Sequence, residues 1–86
     1  EAMRSITAYP NPFTQDFTLR WRGYSGSDAE ISVFDMQGRT LLRQTFDFGE
    51  GNGEWRFADA ARLGNGMYLV QLRTSQQNFT FKMVKQ

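Results

Sequence analysis

Neither cysteine nor histidine occurs in this sequence of 86 residues. The first absence removes disulfides and thiolate nucleophiles; the two together remove the usual zinc ligands and every histidine-based triad. A domain built from this chain therefore stands on its apolar core alone, and at this length only about 60–65% of the unfolded surface is buried on folding. Proline is scarce, and both copies fall in one stretch, Pro10-Asn11-Pro12. No apolar run approaches the roughly 18–20 residues that span a bilayer as a helix. The N-terminus lacks the charged-then-apolar order of a signal peptide; if the parent protein is exported, its signal lies outside this sequence. Ten basic residues against nine acidic ones leave a net charge of +1, with no field to attract nucleic acid. The missing cysteine fits the cytosol and a disulfide-free exported protein equally well.

Aromatic residues are plentiful: eight Phe, three Tyr and two Trp supply large apolar area from few positions. No stretch carries a sustained helical period, whereas alternation recurs throughout. The clearest case is Leu63–Arg73, where Gly64-Asn65-Gly66 offers positive φ for a tight corner and a strand follows from Met67. In that strand Tyr68, Val70 and Leu72 share the inward face. Residues 4–9 are an edge strand stopped by the two prolines. In residues 15–22, Phe17, Leu19 and Trp21 alternate with Asp16, Thr18, Arg20 and Arg22. Residues 23–28 read as a polar connection.

Ala29–Asp35 and Arg39–Phe48 flank Met36-Gln37-Gly38 as a hairpin with Gly38 at positive φ. Leu41 and Leu42 are adjacent, so one points away from the core or a bulge intervenes. Residues 49–53 read as a loop by composition, Glu54–Phe57 as a brief strand, Asp59–Leu63 as one helical turn, and residues 74–78 as a polar loop. The terminal strand places Phe79, Phe81 and Met83 inside and Thr80, Lys82 and Val84 outside. Lys85, past the last inward apolar residue, is expected to turn to solvent. About seven short strands with turn signals every 8 to 12 residues predict an all-β fold, a small antiparallel β-sandwich of immunoglobulin-like kind. The Cys-Trp-Cys pattern of antibody domains is absent. One domain is expected over residues 1–86, with Glu1-Ala2-Met3 open between linker and added sequence.

Chemistry-bearing clusters are few. Asp47, Glu50, Glu54 and Asp59 form the nearest carboxylate group, and Asp47, Glu50 and Asn52 are spaced closely enough to suggest calcium. They lack the full oxygen-ligand pattern, so a solvated loop is the better reading. Gly49, Gly51 and Gly53 precede no helix and make no dinucleotide fingerprint. The expectation is a non-enzyme with no metal, cofactor or small-molecule substrate. Trp21, Tyr24 and Trp55 could instead form a sugar-stacking platform, which would make the chain a carbohydrate-binding or adhesive module. The phase of Trp21 and Trp55 places both in the core; Tyr24 is open.

Tyr9-Pro10-Asn11-Pro12, Asp16, Val33-Phe34-Asp35-Met36-Gln37-Gly38-Arg39, Leu63 with Gly66-Met67-Tyr68-Leu69-Val70, and Lys82-Met83-Val84-Lys85 follow one another in this order. The combination closely resembles the type A C-terminal sorting domain of the type IX secretion system of Bacteroidetes. The resemblance covers nearly the whole chain. It implies a β-sandwich that carries an N-terminal passenger through the outer-membrane translocon. The route runs by way of the periplasm to the cell surface or the medium, and a sortase-like peptidase then removes the domain. Transfer of the passenger to an anionic lipopolysaccharide often follows in that family.

The matching motif positions are Pro10, Asn11, Pro12, Gly38, Arg39, Gly66, Tyr68, Lys82, Val84 and Lys85. Phe81 stands where the family often has a second lysine, and Gln86 follows the last one. Two readings of Lys82 and Lys85 remain: direct contact with the machinery, or edge charges that discourage strand pairing. A weak homodimer through an exposed edge is also left open.

Overall fold

Strands with one apolar face must stack that face against another to exclude water. The computed structural model describes residues 4–26, 28–75 and 77–86. Among them run β1 (Ser5–Tyr9), β2 (Phe17–Gly26), β3 (Ala29–Phe34), β4 (Thr40–Phe46), β5 (Gly49–Phe57), a 3₁₀ turn (Ala58–Arg62), β6 (Gly66–Arg73) and β7 (Asn78–Lys85). One sheet has the order β1-β2-β5 and the other β4-β3-β6-β7, with antiparallel pairing between neighbours. This is the expected immunoglobulin-like sandwich. Glu1-Ala2-Met3, Ser27 in the 23–28 connection and Gln76 in the 74–78 loop lie outside the described residues.

Inward alternation builds the core. Phe17, Leu19 and Trp21 of β2 are buried together with Ile31, Val33, Tyr68, Val70, Leu72 and Met83 of the opposite sheet. Trp21 meets Phe48 edge to face at 5.1 Å, and its indole N–H donates to the Phe48 carbonyl at 3.0 Å. Trp55 is half-buried, stacked on Phe46 at 4.7 Å and on Phe57 at 5.3 Å. Tyr24 packs against Phe48 and Phe79. These rings are spent on packing one another, as the phase of the two tryptophans predicts.

The glycine-rich stretch departs from expectation. Residues 49–53 are not a loop; they are the first half of β5, paired with β2, which itself runs on through Gly26. Glycines inside strands mark bulges and close approaches. The ladder shifts register between Arg22 and Tyr24, and a Cβ on Gly53 would lie 2.9 Å from the Trp21 ring. The missing side chain at Gly53 is what lets the indole lie flat on the strand. Leu41 is the extra residue of a β4 bulge, since Val33 pairs with Leu42 and Phe34 with Thr40. Leu41 is exposed while Leu42 packs on the core.

Candidate functional site

Antiparallel register decides which chain segments meet at one end of the sandwich. Phe34, Leu69 and Lys82 lie in one row across β3, β6 and β7, and Gly66 pairs with Lys85. The hairpin after Phe34, the corner before β6 and the end of β7 therefore share a pole. The chain between β1 and β2 reaches the same pole, where Phe13 bridges to Lys85 in parallel.

Pro10 and Pro12 have no N–H to give, and both follow cis peptide bonds. The side chain of Asn11 supplies the missing hydrogen bonding. Its Nδ2 donates to the Lys82 carbonyl at 2.8 Å, and its Oδ1 accepts the Val84 N–H at 3.0 Å. Phe13, fully buried, continues the pattern: its N–H donates to the Val84 carbonyl at 2.8 Å and its carbonyl accepts the Gln86 N–H at 2.9 Å. An amide side chain and one residue of backbone thus act as a short strand along the outer edge of β7. Phe13 was not singled out from sequence; its core role depends on this crossing from one sheet to the other.

Asp35 organises the hairpin. Its N–H donates to the Arg39 carbonyl and its carbonyl accepts the Gly38 N–H, both at 3.0 Å. Its carboxylate accepts the N–H groups of Gln37 and Arg39 and the Arg39 Nε, the last at 2.7 Å. Backbone donation from Arg39, followed by its guanidinium and the Gln37 N–H, outweighs burial and holds the Asp35 carboxyl below its ordinary range. Gly38 takes φ +88° as the turn requires. An aspartate opening such a turn was the readable signal for this role. Asp16, just ahead of β2, is ion-paired to Arg56 at 3.1 Å.

At the corner, Gly66 takes φ +150°. Gly64 instead offers its carbonyl to the Tyr68 hydroxyl, a tyrosine reaching back over its own corner as in other immunoglobulin-like sandwiches. Lys85 overturns one expectation. Rather than turning to solvent, it is 8% exposed and its Nζ donates to the carbonyls of Ala61 at 3.0 Å and Leu63 at 2.6 Å. Period-two alternation carries it inward behind Met83, and carbonyls left at the end of the 3₁₀ turn accept its charge. Lys82 is exposed as expected. The two lysines, alike in sequence, are a surface charge and an internal fastener.

Among the described residues no three carboxylates gather where they could hold a metal ion. Asp47 caps the Gly49 N–H, Asn52 accepts the Gly23 N–H, and Glu54 pairs with Arg20 at 2.8 Å.

The dispersed motifs thus meet at one pole of a small immunoglobulin-like sandwich, where the Pro10–Pro12 stretch and the corner before β6 bond to the end of β7 and the hairpin closes on itself. The family profile described as a secretion system C-terminal sorting domain matches residues 7–86. The chain belongs to that family, the C-terminal sorting domains of the type IX secretion system, which is not a family of known enzymes. No curated protein matches the chain. Membership makes it a sorting signal for export to the cell surface or beyond, one that engages the type IX machinery on behalf of an attached passenger.

Proposed function

We propose that residues 4–86 act without chemistry, as a folded address that the outer-membrane translocon reads as a unit while the N-terminal passenger passes from periplasm to surface. A sortase-like peptidase then removes the domain. The observation that carries this reading is the mutual bonding of Asn11, Phe13, Lys82, Val84 and Gln86. A motif set that exists only in the folded state suits recognition after folding better than recognition of a linear tail. Pro10, Pro12, Gly38, Arg39, Gly66, Tyr68 and Lys85 serve by shaping this pole, and Lys82 and Val84 face outward from it.

Fusing residues 4–86 to the C-terminus of a periplasmic reporter, in a bacterium with this secretion system, should send the reporter to the surface or the medium. Asn11→Ala should lose export together with melting temperature, since it removes both side-chain bonds to β7. A parent fusion that stays in the periplasm would sink the reading.

A further inference from the structure

The outer face of the four-stranded sheet should be polar, because its inner face already buries the core. Near the motif pole it is not. Phe34, Leu69, Met67 and Val84 alternate with buried neighbours and so line the outer surface, with Lys82 set among them opposite Leu69. Met67 is 43% exposed, and Met36 in the adjoining hairpin is 59% exposed. Thr80 and Gln71 take over further along the same face, beside the buried Ser32, so the apolar area is confined to one end. Half-buried Phe34, Leu69 and Val84 thus surround the exposed Met67; apolar surface gathered in this way marks an interaction site, and flexible methionine is common on such surfaces.

We propose that this patch is where the secretion machinery binds the domain, through a protein partner that presents apolar side chains around a carboxylate for Lys82. The inference rests on the sorting reading above. Four considerations select that occupant. Strand addition at the end of β7 is ruled out by hydrogen bonding: Lys82 O, Val84 N, Val84 O and Gln86 N already bond Asn11 and Phe13. Recognition here must use side chains on the sheet face. Lys82 carries no ion pair among the described residues, nor do Arg22, Arg62 and Arg73, but of these four it alone is set within the apolar patch. Its charge therefore asks for a partner of opposite sign from outside. A second copy docked by the same face would bring Lys82 toward Lys82 across a two-fold axis, placing like charges in the apolar centre. A lipid surface needs a cluster of cations, and one lysine in a chain of net charge +1 does not make one.

The test uses the exported reporter fusion with Met67→Glu, Lys82→Glu and, on the polar part of the same face, Thr80→Glu. Export should fall about tenfold for the first two, the effect of losing one central interface anchor, while Thr80→Glu exports like the parent. Melting temperatures of all three should match the parent; if Met67→Glu unfolds, the neutral Met67→Ser replaces it, with a smaller loss expected. Folded Met67 and Lys82 variants that export normally overturn the proposal. So does self-association of the parent in sedimentation equilibrium that Met67→Glu abolishes, or parent binding to phosphatidylglycerol vesicles that the same change removes. Failure of the parent fusion itself to export is a different result, and refutes the sorting reading beneath.

Discussion

Replacing Lys85 by methionine removes the ammonium and keeps most of the aliphatic stem. Two hydrogen bonds are lost, to the carbonyls of Ala61 and Leu63. Hydrogen bonds from a charged donor are worth about 1.5–3 kcal/mol each, and an acceptor left buried without a partner costs about 1–3 kcal/mol. Against this stands the relief of no longer desolvating a charge, which offsets several kcal/mol of gross interaction. The net expectation is a loss of about 2–4 kcal/mol, from a total of about 4–13 kcal/mol for a chain of this length. Lys85→Ala should lose more, because the stem's packing goes too. Lys82→Ala, at an exposed site, should stay within about 0.5 kcal/mol of the parent. Urea unfolding followed by tryptophan fluorescence measures all three, and the ordering Lys82→Ala, Lys85→Met, Lys85→Ala is the content of the prediction. A midpoint for Lys85→Met equal to the parent's would show that water serves those carbonyls as well as the ammonium does. With the ordering upheld, export lost by a Lys85 variant reports on the scaffold, and of the two lysines only Lys82 can report on recognition.

Gly66→Val should cost about 1–3 kcal/mol, a purely conformational penalty, because a Cβ there meets nothing within 4 Å. Gly64→Ala, two residues away and outside the positive-φ set, should be neutral in the same denaturant melt, and equal effects would mean the corner is not specified at Gly66. Asp35→Asn should destabilise the domain near neutral pH and lose that effect in acid. A carboxyl whose value is depressed in the folded state contributes fully above the ordinary carboxyl range, and the contribution disappears as pH falls through the folded value. Thermal melts of parent and variant across that range check it, and a gap that persists at the acid end would refute the charge as its source.

Local periodicity carried much of this architecture, and it failed where the partner lay far along the chain. Tyr68, Val70 and Leu72 were placed by phase alone, and the Leu41-Leu42 pair announced its bulge. Residues 49–53 were misread because five positions with three glycines look like a turn in isolation. Their ladder partners, within Trp21 to Gly26, stand more than twenty positions away. Lys85 shows a different conflict: its phase, in line with Phe79, Phe81 and Met83, pointed inward, while its charge argued for water. The carbonyls that reconcile the two belong to residues 61 and 63, and nothing near Lys85 in sequence hints at them. Asn11 was legible as part of a bend; that its amide would stand in for backbone along β7 was not.

The bonds from Asn11 to Lys82 and Val84 join residues 71 and 73 positions apart. Such contacts cannot form on the ribosome until the last of these residues has cleared the exit tunnel, by which time everything before them is already in the open. Until then β6 lacks its ladder partner and the backbone of Phe13 lacks the edge it bonds. The sandwich therefore stays unclosed at this pole until its final strand has been made.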